Sequence, residues 1–302
     1  MKTKKFLLSL IVVLFVATSN LFAQVPPSGN FSVNPLPIQY TLSVSANEYC
    51  AGSDVDIFLS NSQFGISYEL YDGGISTGDI ISGTGSGLTW NNQLAGDYTI
   101  VATNPTTGCS QTMNGNEVVI ENALPSVYNL TVSSNEYCAG SGGVDVQLSG
   151  SNIGITYELY ESGVPTGDMI SGDGAGLVWN GQLAGDYTIV ATDDVTTCEQ
   201  TMNGNEIVVE YARPTITSVN PMDVCNDGTL LQVDIDGLSG VAPLDVRLYV
   251  DGYAAGDLIH TEVGVVGPSA TIFVDVSALP VGTFTLYGIS VDGNGCYSHD
   301  EQ

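Results

Sequence analysis

The stretch QLAGDYTIVAT occurs twice in the chain, at residues 93–103 and 182–192, and a diverged copy, LPVGTFTLYGISV, follows at 279–291. Self-similarity at a fixed period is the signature of a repeat architecture. The chain is therefore read as two close repeats and a diverged third. Further stretches recur at an offset of 88 residues, which becomes 89 after a glycine inserted near Gly142: NEYCAGS at 47–53 and 135–141, YELY at 68–71 and 157–160, and QTMNGNE at 111–117 and 200–206.

The three repeats each begin at an Xaa-Pro joint, namely Leu36-Pro37, Leu124-Pro125 and Arg213-Pro214. Proline has a fixed φ and no N–H, so it stiffens such joints and keeps them from pairing into a strand. We therefore divide the chain into an N-terminal leader at 1–23, an extension at 24–37, and repeats at 38–124, 125–213 and 214–302.

Within each repeat the pattern is one short strand after another. Val55, Ile57 and Leu59 alternate with other residues, which is typical of a half-buried strand, and glycine-rich breaks separate the runs. Seven strands in one repeat, without a helical stretch, predict an all-β chain of three tandem immunoglobulin-like β-sandwich domains arranged as a rod. In repeat 1 the strands are expected near 39–45, 54–60, 66–72, 77–82, 87–91, 97–103 and 116–121.

The aromatic residues refine this prediction. The YELY strand places Tyr68 and Leu70 on one face and Tyr71 on the other, so one tyrosine is core and the other partly exposed. Exposed Tyr71 and Tyr160 are candidates for glycan or protein contact, although cross-strand packing is the favoured role. Trp90 and Trp179 are expected in the core. Tyr98, Tyr187 and Tyr287 lie near the start of the sixth strand, at the place of the tyrosine corner, and Ile100, Ile189 and Ile289 stand where antibody domains carry the inter-sheet cysteine.

The six cysteines number two per repeat, one just before the second strand and one just after the sixth. The even count and the expected export favour disulfides over zinc, because two cysteines without a nearby histidine cannot fill a tetrahedral site. The simplest of the 15 connectivities pairs the cysteines within each repeat. The predicted pairs are Cys50 with Cys109, Cys138 with Cys198, and Cys225 with Cys296.

Residues 1–23 resemble a secretory signal peptide: Lys2, Lys4 and Lys5 precede an apolar run at 6–16, and a small residue, Ala23, ends the segment. Removing it leaves two arginines against 33 acidic residues, a formal charge of −31. Such a surface repels phosphate backbones and anionic headgroups. We therefore predict a secreted protein, extracellular or at the cell surface, that neither binds nucleic acid nor inserts into a membrane.

The segments YCAGS, YELYESGVPTG and QLAGDYTIVATD, with MNGN closing each copy, resemble the tandem immunoglobulin-like repeats of large secreted surface proteins of Bacteroidota. The resemblance covers 38–212 well and 213–302 faintly. It implies an adhesin-like or gliding-associated role, often with type IX secretion, and no catalytic residues. The predicted partners are other copies of the chain or cell-surface proteins and glycans.

Residue types suited to catalysis are sparse. After the leader there is no lysine, and both histidines, His260 and His299, lie in repeat 3, where solvated loops explain them best. We predict no enzyme and no cofactor, with calcium as a possible ligand of the acidic, glycine-containing turns. Ordinary turn chemistry explains those turns better than calcium does. The candidate calcium ligands are Asp234, Asp236, Asp292 and Asn294.

A last signal lies at the two ends. Repeats 1 and 2 close with the strands GNEVVIENALP and GNEIVVEYARP, whereas GNFSVNPLP at 29–37 is a shortened version placed before repeat 1. Repeat 3 is expected to lack this strand. The alternative function is therefore an extracellular filament in which Phe31, Ser32 and Val33 complete repeat 3 of another copy by strand addition. The alternatives to strand addition are that the chain is truncated or that the segment is simply a linker. A carbohydrate-binding accessory module is a third functional hypothesis.

Overall fold

The structure is a computed structural model that describes residues 29–225 and 227–299. The predicted signal peptide and residues 24–28 of the extension lie outside this range. Regular structure in the described residues consists of 24 strands and one 3₁₀ turn, Ala255–Asp257. This confirms the all-β prediction. None of the described helical segments is long and apolar enough to cross a bilayer.

Repeat 1 contains the seven predicted strands and two short additional ones. The additional strands flank the cysteines: Glu48–Cys50 carries Cys50, and Ser110–Thr112 follows Cys109. The alternation of apolar residues decides which face is buried, as in the strand Val55–Leu59, where every second side chain is buried. The strands are β1 (Leu42–Val44), β2 (Glu48–Cys50), β3 (Val55–Leu59), β4 (Ser67–Asp72), β5 (Ile75–Ser82), β6 (Leu88–Gln93), β7 (Gly96–Thr103), β8 (Ser110–Thr112) and β9 (Glu117–Asn122).

Repeat 2 has the same elements. They are β10 (Leu130–Val132), β11 (Glu136–Cys138), β12 (Val144–Leu148), β13 (Ile155–Glu161), β14 (Val164–Ser171), β15 (Leu177–Gln182), β16 (Gly185–Asp193), β17 (Glu199–Thr201) and β18 (Glu206–Tyr211). One sheet has the order β10-β12-β15 and the other β11-β18-β16-β13-β14, with β17 pairing β16. Side chains of both sheets meet in one core cluster, as in a β-sandwich.

Repeat 3 is simpler. Its strands are β19 (Ser218–Pro221), β20 (Leu231–Asp236), β21 (Leu244–Val250), β22 (Leu258–Val265), β23 (Ser269–Val274) and β24 (Leu286–Val291). They form two three-stranded sheets, β19-β20-β23 and β22-β21-β24. Within the described part of this repeat, no counterpart of β11 or β18 is assigned.

The described chain forms two compact units, and their limits differ from those of the repeats. The first comprises the described residues up to Val44 with Ile57–Trp90 and Asp97–Glu117. The second comprises Ser45–Asp56, Asn91–Gly96 and the residues from Val118 onward. Both disulfides described below lie within the second unit.

Candidate functional site

The disulfides connect successive repeats. Cys50 is bonded to Cys198, with 5.5 Å between the Cα atoms, and Cys138 is bonded to Cys296, with 5.6 Å. The predicted pairs Cys50–Cys109, Cys138–Cys198 and Cys225–Cys296 are therefore wrong. The first cysteine of each of the first two repeats pairs with the second cysteine of the next repeat.

The direction of the strands explains this error, as repeat 2 shows. Cys138 lies opposite Tyr211 in the parallel pair β11–β18, near the start of β16, whereas Cys198 follows the end of β16. The nine residues of β16 separate these two points by about 25 Å at a rise of about 3.3 Å per residue. In the seven-strand count the second and sixth strands of repeat 2 are β12 and β16, which run in the same direction, so a cysteine before β12 and a cysteine after β16 occupy opposite ends of the sandwich.

Arg213 supports the joint between repeats 2 and 3. Its Nε donates to the carbonyl of Ala139, beside Cys138, at 2.7 Å. Its Nη1 donates to the carbonyl of Tyr297, beside Cys296, at 3.3 Å. Arg213, one of the two arginines in the sequence, therefore contacts both sides of the same disulfide.

Cys109 and Cys225 are not part of a disulfide. Cys225 is exposed and Cys109 is half-buried. The Cys109 thiol donates to the carbonyl oxygen of Asn34, with 4.0 Å between sulfur and oxygen. The two thiols left over by the pairing are thus the second cysteine of repeat 1 and the first cysteine of repeat 3.

The closing strands β9 and β18 complete repeats 1 and 2. Each presents one buried valine, Val119 or Val208, both 3% exposed. In β2, which pairs in parallel with β9, Tyr49 lies opposite Glu121, and the Tyr49 hydroxyl donates to the Glu121 carboxylate at 3.0 Å. Burial raises the pKa of Tyr49, and the bond to Glu121 raises it further.

In repeat 2, the same polar pair is Tyr137 opposite Glu210. Burial raises the pKa of the Tyr137 phenol, which accepts the backbone N–H of Ala184 at 3.1 Å. A tyrosine–glutamate pair therefore accompanies the closing strand in both of these repeats.

Repeat 3 has a groove where the other repeats have the closing strand. The segment 221–225, which leads to Cys225 as β11 leads to Cys138, forms one side, and the start of β24 with the preceding loop forms the other. The groove has a volume of about 290 Å³ and mostly apolar walls. Its principal apolar side chains are Met222, Val224, Leu231, Val250, Phe284 and Leu286.

The predicted donor residues are exposed. Phe31 is 88% and Val33 87% exposed, and Ser32 is also exposed; none of the three lies in a strand. Two apolar side chains on alternate positions thus face solvent. The structure places them in the first compact unit, and it does not show them paired with a repeat.

The YELY and tryptophan predictions are confirmed. Tyr68 and Tyr157 are fully buried, whereas Tyr71 and Tyr160 are half-buried. The indole Nε1 atoms of Trp90 and Trp179 donate to backbone carbonyls, and both side chains are buried. Neither tryptophan offers the exposed platform that a carbohydrate-binding module uses.

The tyrosine-corner prediction is right for repeat 2 and wrong for repeat 3. The hydroxyl of Tyr187 donates to the carbonyl of Leu183 at 2.9 Å, as in a tyrosine corner. Tyr287 pairs with Tyr249, whose neighbour Leu248 belongs to the core cluster; Tyr287 therefore lies on the opposite face. Its ring contacts Tyr253, 4.9 Å between centroids. Ile100, Ile189 and Ile289 are all fully buried.

The calcium candidates are occupied as hydrogen-bond acceptors. Asp234 accepts from the Thr271 hydroxyl at 2.8 Å, and Asp236 from the Asn220 amide at 3.3 Å. Buried Asp292 accepts the backbone N–H groups of Asn294 and Cys296, both at 3.0 Å, and so shapes a turn. Among the described residues, no group of three or more His, Cys, Asp or Glu side chains could hold a metal ion.

The two histidines have different partners. His260 Nε2 lies 3.2 Å from the Glu262 carboxylate in an exposed pair on β22. The His299 ring stacks on Tyr253 with 4.6 Å between centroids. His260 thus contacts a carboxylate, and His299 contacts an aromatic ring.

No protein-family model matches the chain, and no curated protein is similar to it. Among solved structures, the N-terminal eight Ig domains of Down Syndrome Cell Adhesion Molecule are 14% identical (TM-score 0.43), over 85% of this chain and 37% of that one. Chicken CNTN1 domains FN1–FN3 are 11% identical (0.33), over 87% and 96%. Clostridium thermocellum CbhA fibronectin(III)-like modules are 13% identical (0.31), over 56% and 95%. Likenesses at this level carry no argument about function.

Proposed function

We propose that the protein is secreted and acts outside the cell as a non-enzymatic adhesion or structural protein. The observation that carries this proposal is the pair of disulfides, each joining one repeat to the next. Disulfides form and persist in oxidising compartments outside the cytoplasm. The resemblance of the repeats to those of Bacteroidota surface proteins favours the same location.

The arrangement of the disulfides suits a structural role. Cys138–Cys296 gives repeats 2 and 3 a second covalent connection beside the main chain, and Arg213 adds hydrogen bonds to both repeats. Two covalent connections restrict rotation at a joint more than one does. A protein that spans distance or bears force at a cell surface benefits from such joints.

Surface location and adhesion can be tested together in the organism that encodes the chain. An antibody against residues 38–212 is used to follow the chain in intact cells treated with a protease that cannot enter them. Expected are digestion of the chain on intact cells or its recovery from the medium, and weaker attachment of cells after gene deletion, restored by the wild-type gene. A chain that is protected until the cells are lysed would overturn the proposal.

A matched variant tests whether attachment depends on the disulfide-bonded joint or only on the presence of the chain at the surface. Cells carrying Cys138→Ala with Cys296→Ala should display the chain yet attach less strongly, because the joint between repeats 2 and 3 loses its second connection. Attachment equal to that of wild type, at equal surface amounts, would contradict a structural role for the joint.

A further inference from the structure

We propose that a second copy of this chain completes repeat 3: residues 29–34 of one molecule occupy the groove of another as a closing strand, and Cys109 of the donor forms a disulfide with Cys225 of the acceptor. The inference names the partner in the proposed extracellular role and rests on that role for its oxidising surroundings. The result is a head-to-tail filament in which successive molecules are joined by the same kind of disulfide that joins successive repeats.

The first support is the order of the cysteines. Within the molecule, the first cysteine of a repeat bonds to the second cysteine of the following repeat, as in Cys50–Cys198 and Cys138–Cys296. By the same rule Cys225 requires the second cysteine of a following repeat, and Cys109 requires the first cysteine of a preceding one. If repeat 1 of another copy follows repeat 3, both requirements are met by one bond.

The second support is the groove. In repeat 2, β18 lies between β11, its parallel neighbour, and β16, its antiparallel neighbour. In repeat 3 the groove is bounded by the corresponding segments, which contribute Val224 and Cys225 on one side and Phe284 and Leu286 on the other. An entering strand would therefore have a hydrogen-bonding edge on either side and an apolar floor.

The third support is the register of the donor. Each Xaa-Pro joint gives a reference point, at Pro125, Pro214 and Pro37. The residue six positions before it is Val119 in repeat 1, Val208 in repeat 2 and Phe31 in the donor segment. The two valines are 3% exposed, whereas Phe31 is 88% exposed. A phenyl ring in place of a valine fills a groove of about 290 Å³ better and gains about 25 cal/mol per Å² of apolar surface buried.

A paired substitution supports the same register. The same count places Asn122, Tyr211 and Asn34 three residues before the prolines. At the position before these, repeats 1 and 2 have Glu121 and Glu210, whereas the donor segment has Val33. The glutamates lie opposite Tyr49 and Tyr137, which precede the first cysteines. In repeat 3 the residue before the cysteine is Val224. The polar pair of repeats 1 and 2 thus becomes the apolar pair Val224–Val33 when the donor is a second copy.

The strand and the disulfide also agree in space. Cys50 lies opposite Asn122 in the parallel pair, so the register places Cys225 of the acceptor opposite Asn34 of the donor. In the donor, the Cys109 sulfur already lies 4.0 Å from the Asn34 carbonyl oxygen. Insertion of the strand would therefore bring the two sulfur atoms together, although the strand and the cysteines are separate features of the sequence.

The bond forms by thiol–disulfide exchange with a disulfide oxidant, and its reaction balances. The Cys225 thiol gives up its proton and attacks one sulfur of the oxidant, which releases one thiol and leaves a mixed disulfide. The Cys109 thiolate then displaces the second oxidant sulfur. Two protein thiols become one disulfide, and the oxidant takes up two electrons and two protons as two thiols.

The test uses purified protein from residue 24 onward, with oxidised glutathione as the oxidant. On non-reducing gels the wild type should form a ladder of dimers and longer species, and mass spectrometry should find the Cys109 and Cys225 peptides joined. Cys109→Ser and Cys225→Ser should each fail to form a ladder alone. Their mixture should give a dimer and nothing longer, because each variant retains one competent end.

The strand is tested by a matched pair of variants. Phe31→Asp places a charge in the groove and should slow cross-linking at least tenfold, whereas Ser32→Asp, on the opposite face of the strand, should leave the rate within twofold. Equal rates in the two variants would overturn the strand insertion. A symmetric Cys225–Cys225 dimer, a Cys109–Cys225 bond within one molecule, or no bond between these cysteines would overturn the pairing.

The reaction in purified protein is independent of cellular location, so the two proposals fail separately. A ladder from a chain that is protected inside cells would contradict the extracellular role while leaving the assembly chemistry standing. A surface-exposed chain that remains monomeric under oxidised glutathione would contradict the assembly alone.

Discussion

Repeats 2 and 3 have the same sandwich framework but close it differently. Repeat 2 surrounds Trp179, Tyr157 and Tyr187 with two full sheets and ends with β18. Repeat 3 packs a core of aliphatic side chains between two three-stranded sheets and leaves a groove at the place of β18. The difference teaches that the inner strands of repeat 3 form two sheets without a counterpart of β18 in the described residues.

The largest expected effect on stability comes from removing the disulfide that joins repeats 2 and 3. Replacing Cys138 and Cys296 by alanine opens a link between residues 158 positions apart, which contributes about 5 kcal/mol in the chain-entropy treatment. Repeat 3 should then unfold at lower urea concentration than repeat 2. Hydrogen exchange followed by peptide, as a function of urea, resolves the two repeats.

Cys109→Ser serves as the control, since Cys109 is not bonded in the monomer. It should leave both transitions unchanged at protein concentrations that keep the molecule monomeric. Unfolding of repeats 2 and 3 together in the double alanine variant, at the wild-type urea concentration, would show that the disulfide adds nothing to repeat 3.

A second change acts on a polar anchor inside the core of repeat 2. The backbone N–H of Asn152 donates to the hydroxyl of fully buried Tyr157 at 2.9 Å. Tyr157→Phe leaves this N–H without its acceptor, and we expect a loss of about 2 kcal/mol in the free energy of unfolding of repeat 2. Tyr160→Phe, on the half-buried face, should cost less than about 0.5 kcal/mol.

The fluorescence of Trp179 reports this transition. The sequence has two tryptophans, so a Trp90→Phe background isolates the signal of repeat 2. Equal midpoints for the Tyr157 and Tyr160 variants would contradict the anchoring role of the buried hydroxyl.

A third, smaller change compares the two tyrosines that the sequence places at the same corner. Tyr187→Phe removes the hydrogen bond to the Leu183 carbonyl and should cost about 1 kcal/mol. Tyr287→Phe keeps the ring that contacts Tyr253 and should change the stability of repeat 3 by less than about 0.5 kcal/mol. Urea denaturation read by Trp179 fluorescence for the first, and by hydrogen exchange for the second, measures both; a larger loss for Tyr287→Phe would reverse the assignment.

The sequence predicts the strands well because each follows from local alternation of apolar residues between glycine-rich turns. The seven strands of repeat 1 and the buried side of YELY are examples. The disulfide pairing could not be read in the same way, because it depends on which end of the sandwich each cysteine reaches. The direction of the second and sixth strands, which follows from counting, was the signal that would have excluded pairing within a repeat.

Repeat 3 departs from prediction for a different reason. Tyr287 was aligned by similarity to the other repeats, but its pairing with Tyr249 turns it away from the core. In a strand, a displacement of one residue moves every side chain to the other face. The sequence predicts an open place in repeat 3, but the residues that line the groove could not be named from it, because they come from segments as far apart as Met222 and Leu286.

The smallest effect concerns one turn that repeats 1 and 2 build with different side chains. In repeat 2, Asp193 Oδ1 accepts the N–H groups of Val195 and Thr196, both at 2.9 Å; in repeat 1, Asn104 accepts the equivalent groups of Thr106 and Thr107. The hydrogen bonds from Thr196 and Val195 lower the pKa of Asp193 below its ordinary value of 3.8. The carboxylate is therefore held more strongly in the folded than in the unfolded chain.

A lowered pKa fixes the direction of the pH effect. The stabilisation by Asp193 is present at pH values above its unfolded pKa and is lost as the pH falls through the lower, folded pKa. In Asp193→Asn, the amide oxygen still accepts both N–H groups without titrating. The difference in unfolding free energy between wild type and this variant, from urea denaturation in the Trp90→Phe background, should be constant between pH 7 and 5 and shrink towards pH 3. The reciprocal Asn104→Asp, read by Trp90 in a Trp179→Phe background, should introduce the same dependence into repeat 1, and a difference that persists undiminished at pH 3 would show that the charge on Asp193 does not contribute.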